Sequence, residues 1–336
     1  MAKIVLGIGT SHGPMLSTPP EQWDARVPAD RKNKHPYRGE TYGFDDLVRL
    51  RSPEKIGDQL GVETWRDRHR RCREALDTLA QKFADAKIDA AIIVGNDQNE
   101  IFQTDLMPAL YVFAGEEVFN EPTTDEQKAM MPPGIAISEP GHKPPQRETY
   151  PCHAKLGRHL IENLIDSRFD VTQSSTLPQN GVAWASGMPH AFGFVYRKIM
   201  HDQVIPHVPV VVNTFYPPNQ PRAGRCVALG DQLARAVASW PEDMRIAVIA
   251  SGGLSHFVID EEFDRRFLDL LAAPDRDGID KLPEKWLQSG TSEMKNWIPV
   301  ATASASAGLK MELVDYVPCY RSEAGTGNAM GFVVWQ

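Results

Sequence analysis

The most informative pattern in the chain is a short apolar run that ends in small polar residues and a histidine. Residues 245–250 are apolar after the first position and partly β-branched, which is typical of a strand buried on both faces of a sheet. The Ser-Gly-Gly of residues 251–253 interrupts the run, and His256 follows. Residues 3–10 repeat this pattern and lead to His12. Because ligands of open α/β sheets lie beyond the carboxyl ends of the strands, both histidines are predicted to enter one crevice.

Apolar and polar positions elsewhere predict alternating strands and helices. Apolar runs predict further strands at residues 90–95, 107–115, 170–174, 208–214, 311–316 and 332–335. Helices are predicted at residues 63–86, 153–167, 226–239 and 261–272. This alternation predicts an α/β fold in which residues 1–336 form one large domain, with a central, mostly parallel or mixed sheet flanked by helices.

Two long segments interrupt the alternation. Residues 13–62 are predicted to be irregular and are rich in proline and charged residues, with several aromatic side chains among them. Residues 116–150 are polar and rich in proline. Connections of this length inside a compact domain are usually functional or disordered, and the aromatic side chains favour order. The two insertions are therefore expected to form a lid near the end of the first strand.

The composition is that of an ordinary globular protein and excludes several functions. Of the 336 residues, 42% are hydrophobic and 24% are charged, and no apolar run approaches the ~20 residues that span a bilayer. A net charge of −8 without an extended basic cluster argues against nucleic-acid binding. Four scattered cysteines without a CxxC pair, and a first strand without a basic leader, predict a cytoplasmic protein with reduced thiols.

Polar groups that follow the predicted strands are the candidate chemistry. They comprise His12, the polar cluster at residues 97–100, His190 and His256. Glu293 joins them from the first turn of a helix predicted to begin near residue 290. The chain has no P-loop, no G-x-S-x-G elbow and no complete G-x-G-x-x-G. Histidines and carboxylates without a nucleophile motif favour a metal, and such mixed ligands with open positions suit Fe(II), with Zn(II) or Mn(II) as alternatives.

These residues lie in stretches that resemble the class III extradiol ring-cleavage dioxygenases, the superfamily of the protocatechuate 4,5-dioxygenase catalytic β subunit. The matching stretches follow the family order over most of the chain: GTSHGP at 9–14, residues 92–102, His190 with its following helix, VNTFYPP at 212–218, GGLSH at 252–256, SEMKNW at 292–297 and GNAMG at 327–331. The resemblance implies an Fe(II) enzyme that uses O₂ to open a catechol ring next to, rather than between, its two hydroxyls.

The resemblance also implies a role for each candidate residue. His12 matches the first iron ligand of the family, and Glu293 matches its carboxylate ligand. His256 matches the histidine that acts as a base and handles oxygen. His190 matches a second pocket histidine that contacts the substrate and takes part in catalysis. Asn180 and Tyr216 are expected to add further contacts to the substrate.

One position departs from the family pattern. The second histidine ligand of the family should follow residues 96–97, where this chain has Gln98. If the backbone remains extended there, Gln98 and Glu100 point to the same side of the strand. The carboxylate of Glu100 would then be a better ligand for a divalent ion than the amide of Gln98, which remains the alternative. His35 could also supply the missing imidazole, or the site could bind no metal.

The predicted function is extradiol cleavage of a carboxylated or methoxylated catechol. The family often pairs its β subunit with a small α subunit that caps the pocket. The two insertions of this chain instead predict a homo-oligomer without an α subunit. Two alternatives remain at this point. One is a metal-dependent hydrolase or lyase on the same scaffold, and the other is a non-catalytic partner subunit that has lost its metal.

Overall fold

A computed structural model describes residues 1–132 and 134–336, in which strands and helices alternate over most of the range. The strands are β1 (Lys3–Thr10), β2 (His35–Tyr37), β3 (Glu40–Tyr42), β4 (Ala90–Gly95), β5 (Leu110–Phe113), β6 (Glu117–Asn120), β7 (Glu148–Pro151), β8 (Thr172–Ser174), β9 (His207–Val212), β10 (Arg245–Ser251), β11 (His256–Val258), β12 (Met311–Tyr320) and β13 (Thr326–Trp335). The α-helices are α1 (Val27–Asp30), α2 (Phe44–Leu50), α3 (Val62–Asp85), α4 (Asp125–Met130), α5 (Ala154–Asp166), α6 (His190–Phe194), α7 (Ala223–Ser239), α8 (Glu261–Ala272), α9 (Arg276–Asp280) and α10 (Met294–Ser306).

A nine-stranded mixed sheet forms the centre of the molecule. Its order is β11-β13-β1-β10-β4-β9-β5-β8, and β12 pairs with β13. Strands β1, β10, β4 and β9 are parallel, whereas β13 and β5 run antiparallel to their neighbours β1 and β9. Every residue of β4 and β9 is buried, because helices cover both faces of the sheet. The predicted α/β fold with a mostly parallel or mixed sheet is confirmed.

The two faces of the sheet carry separate apolar cores. Along β4, Ile92 packs into one core and Ile93 into the other, as the alternation of side chains in a strand requires. Helices α5, α7, α8 and α10 cover the first core, and α3 and α6 contribute to the second. No helix in the described ranges combines the length and the apolar character needed to cross a lipid bilayer.

Small residues at the end of the sheet allow α10 to pack closely against it. A Cβ atom on Gly9 would lie 2.6 Å from the ring of Trp297, and one on Gly331 would lie 2.7 Å from Leu254. Trp297 also donates its indole N–H to the carbonyl of Gly252 at 2.9 Å. The glycine-rich stretch at residues 327–331, which the sequence pattern leaves between two strands, belongs to β13 and pairs with β12. These glycines therefore bring α10, and Glu293 just before it, against the strand ends.

The two insertions contain more regular structure than the sequence predicts. The first holds α1, α2 and the hairpin β2–β3, whose turn uses the positive φ angles of Arg38 and Gly39. The second holds α4 and the hairpin β6–β7. Arg38 also forms an ion pair with Asp260 at 2.6 Å. Residues 13–62 are therefore more regular than the sequence predicts, because hairpin hydrogen bonds and the long-range ion pair of Arg38 hold part of the segment in place.

Candidate functional site

A cavity of about 360 Å³ lies where β1, β4 and β9 end. His12 follows β1, Gln98 follows β4 and Tyr216 follows β9, and all three line the cavity. Both insertions line it as well, through residues that include Arg26 and His142. The position beyond the strand ends is the usual ligand position in this class of fold, and the volume suits a small molecule.

Three side chains in the cavity bring their ligand atoms together. We refer to His12, His190 and Glu293 as the ligand cluster, because their ligand atoms all lie within 4.8 Å of one another. Nε2 of His12 is 3.1 Å from Oε2 of Glu293 and 3.2 Å from Nε2 of His190. Two atoms that bind one ion at right angles, each at about 2.1 Å, are about 3.0 Å apart. The spacing of the ligand cluster therefore fits a divalent metal ion.

The carboxylate of Glu293 is held in place by three hydrogen bonds. Glu293 ends a 3₁₀ turn that runs directly into α10. Its Oε2 accepts from the backbone N–H of Gly253 at 2.7 Å, and its Oε1 accepts from the amides of Asn96 at 3.1 Å and Gln98 at 2.7 Å. Burial acts to raise the pKa of Glu293, but the imidazoles around it, His12 and His256 first and then His190, outweigh burial and lower the pKa. The carboxylate is thus ionised at neutral pH.

The hydrogen bonds of His12 fix which of its ring nitrogens is free. The hydroxyl of Ser251 donates to the carbonyl of Ala191 at 2.6 Å, so its oxygen accepts from Nδ1–H of His12 at 2.9 Å. Nε2 of His12 therefore presents its lone pair to the cavity. Burial lowers the pKa of His12, which keeps the ring neutral.

His190 is oriented by the carboxylate of Glu100. Nδ1 of His190 lies 2.6 Å from Oε2 of Glu100, and its backbone N–H donates to Oε1 at 2.8 Å. Burial would lower the pKa of His190, but the charge of Glu100 and this hydrogen bond raise it to about 9. Without a metal, His190 thus carries a proton on Nε2 that it can donate to His12. A metal ion in the ligand cluster would replace that proton.

His256 stands beside the ligand cluster with one ring nitrogen free. Its Nδ1–H donates to the carbonyl of Leu254 at 2.8 Å, which leaves Nε2 as the ring nitrogen that is available to a ligand in the cavity. This Nε2 lies 3.6 Å from Oε2 of Glu293. A Cβ atom on either Gly253 or Gly290 would come within 2.3 Å of the ring. The histidine therefore fits its position only because both neighbours are glycine.

The structure places Glu100 and Gln98 differently from the sequence prediction. The backbone does not remain extended after Asp97, because Asn99 has a φ of 61° and the Asp97 carboxylate accepts backbone N–H groups from Glu100 and Ile101. Glu100 consequently faces Nδ1 of His190, away from Nε2 of that ring. Gln98 reaches Glu293, but as a hydrogen-bond donor. The condition for the Glu100 hypothesis, a backbone that remains extended after Asp97, is therefore not met.

The remaining predicted residues are divided between the cavity and other positions. Tyr216 lines the cavity, and burial raises its pKa to about 12. Asn180 is exposed, and among the described residues its loop reaches the cavity through Val182 and Trp184. His35 is buried in β2, where Nε2 lies 2.8 Å from the carbonyl of Asp30. The structure therefore brings neither Asn180 nor His35 to the ligand cluster.

Several side chains that support the site were not identified from the sequence. Lys143, in the second insertion, contacts Asn120 at 3.0 Å and the carbonyl of Ser186, and so holds the loop before His190. Ser251 orients His12, and its position at the end of β10 was a usable signal. No feature of the sequence identifies Arg26 as a cavity residue, because the first insertion has no periodic pattern around it.

Three comparisons relate this chain to known proteins. A family model described as the catalytic LigB subunit of aromatic ring-opening dioxygenase matches residues 69–328, a range that includes His190, His256 and Glu293. Gallate dioxygenase from Pseudomonas putida is 33% identical over 129 residues, so the match covers 35% of this chain and 35% of that protein. The crystal structure of an uncharacterized protein from Escherichia coli K12 has 15% identity and a TM-score of 0.45, over 77% of this chain and 91% of that chain.

Proposed function

The chain belongs to the family of LigB catalytic subunits of aromatic ring-opening dioxygenases, and from this premise we propose that it is an Fe(II)-dependent extradiol dioxygenase. The observation that carries the proposal is the ligand cluster. Two neutral imidazoles and one carboxylate with open positions are the ligand set that non-haem Fe(II) oxygenases use. Zn(II) and Mn(II) are the alternative ions for the same ligands.

In this proposal, His190 compensates for the glutamine at position 98. The family pattern has a histidine ligand at that position, and here the side chain instead donates a hydrogen bond to Glu293. Nε2 of His190 is 3.2 Å from Nε2 of His12, so the second imidazole comes from a different part of the chain. Glu100, the ligand that the sequence favours, instead orients this imidazole through Nδ1, as carboxylates beside metal-bound histidines usually do. The ligand charge then remains −1, as in the usual triad.

The residues of the cavity have different roles in the proposed ring cleavage. The ion, when bound, supplies Lewis acidity for the deprotonation of two adjacent hydroxyls and the redox chemistry of O₂. Nε2 of His256 is placed to accept a phenolic proton, because the other ring nitrogen, Nδ1–H, is committed to Leu254. Val182 and Trp184 supply apolar walls for an aromatic ring. The ring opens next to the two hydroxyls, and both atoms of O₂ enter the product.

The proposed substrate is a catechol with a carboxyl or methoxy substituent. The cavity has room for a small aromatic molecule, and Tyr216 with Arg26 adds polar groups to its walls. The name of the partly matching relative, gallate dioxygenase, supports a polyhydroxylated benzoate. The other partner is O₂.

We propose that the enzyme works in the cytoplasm as a homo-oligomer without a separate α subunit. Both insertions of the chain line the cavity, through residues such as Ser17 and Ile135. In this proposal they cover the cavity in place of a capping subunit. Light scattering on the purified protein, together with activity in the absence of any added subunit, tests this arrangement. Activity that requires a second polypeptide would contradict it.

Metal analysis of anaerobically purified protein, combined with O₂ uptake on a panel of catechols, tests the proposed function. We expect iron near one equivalent per chain and O₂ uptake with a yellow ring-opened product. Zinc without O₂ uptake would instead support a hydrolase or lyase on this scaffold. Protein that binds no metal, even after reconstitution, would support a non-catalytic partner subunit.

A further inference from the structure

Two arginines lie in the cavity wall in addition to the ligand cluster. Arg26 comes from the first insertion, and Arg321 follows β12 directly. Arg321 is buried and forms a bidentate ion pair with Asp30, at 2.7 Å from Nε to Oδ2 and 2.9 Å from Nη2 to Oδ1. Thr326 donates to the same carboxylate at 2.6 Å. The acceptor oxygens of Asp30 are therefore already engaged by Arg321 and Thr326.

Arg26, by contrast, has a guanidinium nitrogen without a hydrogen-bond acceptor in the described part of the chain. Within residues 1–132 and 134–336, its Nη1 is buried and has no hydrogen-bond partner. Burial and the charge of Arg321 lower the pKa of Arg26 to about 10, although the charge of Asp30 acts in the opposite direction. Arg26 consequently remains cationic at neutral pH. Two guanidinium groups share one carboxylate here, so one positive charge is uncompensated within the group formed by Arg26, Asp30 and Arg321.

An anion supplied by a ligand would complete this wall. A buried donor without an acceptor is destabilising, and more so when it is charged. A carboxylate offers two acceptor oxygens in the plane that matches the guanidinium group. Gly134 of the second insertion lies against the Arg26 side chain, where a Cβ atom would come within 2.9 Å of Cγ. The two insertions thus meet at Arg26, and the side chain is confined beside the cavity.

We infer that Arg26 binds the carboxylate of the substrate, which is therefore a catechol with an ionised carboxyl group. This inference rests on the proposed function and narrows it. A methoxylated catechol without a carboxyl group would leave Arg26 without a partner. The side chains of the ligand cluster and Arg26 line the same cavity of about 360 Å³, so one single-ring molecule can address both.

Binding of protocatechuate and of its neutral amide to the iron-loaded protein, measured by calorimetry without O₂, tests this inference. The wild type is expected to bind the acid at least about tenfold more tightly than the amide, because only the acid neutralises Arg26. Arg26→Gln should remove this preference while it leaves the affinity for the amide nearly unchanged. Arg26→Lys should retain part of the preference, because it keeps the charge but loses the planar fork.

Arg31→Gln is the matched control, because Arg31 lies in the same segment but pairs with Glu323 at the exposed surface. Arg31→Gln should bind the acid and the amide with the same affinities as the wild type. Equal affinity of the wild type for acid and amide would overturn the inference, as would an equal loss of both ligands in Arg26→Gln or no binding of either. O₂ uptake on both ligands separates this result from the proposed function. Uptake without discrimination overturns only the role of Arg26, whereas Arg26-dependent binding without any uptake overturns the dioxygenase proposal.

Discussion

Glu100 holds His190 by its ring and by its backbone, with contacts of 2.6 Å and 2.8 Å. We therefore expect Glu100→Gln to weaken metal binding by about 10–100-fold, the usual effect of removing a group that orients a ligand. Glu293→Gln should abolish metal binding, because the anionic oxygen ligand is lost. Iron content after dialysis measures both variants. Complete loss of iron from Glu100→Gln would identify Glu100 as a ligand.

Gln98 adjoins the ligand cluster through its hydrogen bond to Glu293 at 2.7 Å. Gln98→His should bind iron more firmly, because it adds an imidazole where the family pattern has one. Gln98→Ala removes only the hydrogen bond and should reduce metal affinity by no more than about 10–100-fold. Competition with a chelator measures both affinities. If the two variants and the wild type retained iron equally, position 98 would have no part in the site.

His256 contacts Glu293 only at 3.6 Å and has its free nitrogen in the cavity. His256→Ala should keep its iron and lower turnover by about 10²–10⁴-fold, the range for loss of a positioned base. Metal content and steady-state O₂ uptake are measured on the same preparation. A parallel loss of iron would show that the histidine is a ligand, and unchanged turnover would remove it from the reaction.

At the scale of elements, the contact between β1 and α10 positions Glu293. Gly9 lets the ring of Trp297 approach the strand, since a Cβ atom there would lie 2.6 Å from the ring. We expect Gly9→Ala to destabilise the fold by about 1–3 kcal/mol, the usual cost of overpacking a core. Chemical denaturation measures this difference. Gly57→Ala is the matched control, because a Cβ atom at Gly57 comes within 4 Å of none of the described residues. Equal stability of both variants would contradict the packing explanation.

The free energy of unfolding of this protein depends on pH through His207. It is fully buried at the start of β9, accepts the hydroxyl hydrogen of Tyr196 at 2.6 Å, and donates Nδ1–H to the carbonyl of Ile205 at 3.0 Å. Burial lowers its pKa from 6.5 to about 4. Below pH 6.5, His207 therefore binds a proton in the unfolded chain but not in the folded chain. The stability that depends on the neutral His207 is lost as the pH falls from about 6.5 to about 4.

We expect His207 to account for about 3 kcal/mol of the stability lost over that range. Urea denaturation of the wild type and of His207→Gln, each at about pH 7 and about pH 4, measures the difference. The glutamine keeps a donor and an acceptor but does not titrate, so the variant should show the weaker pH dependence even if its overall stability is lower. The same pH dependence in both proteins would contradict the assignment.

Local sequence patterns are enough to predict the α/β fold and to place His12 after β1 and His256 after β10. Both follow from local patterns, because strands that are buried on both faces are apolar throughout and end where small polar residues begin. Helices α3, α5, α7 and α8 were likewise recognisable from the residues within them. The family match over residues 69–328 agrees with this local information.

Contacts between distant parts of the chain determine which side chains meet in the site. His190 lies 178 residues from His12 in the sequence, and no local pattern predicts that their Nε2 atoms lie 3.2 Å apart. The direction of Glu100 depends on the turn at Asn99, and the position of Arg26 depends on contacts between the two insertions. Side-chain alternation determines a direction only while the backbone stays regular, and Gln98 and Glu100 lie beyond the end of β4, where it does not.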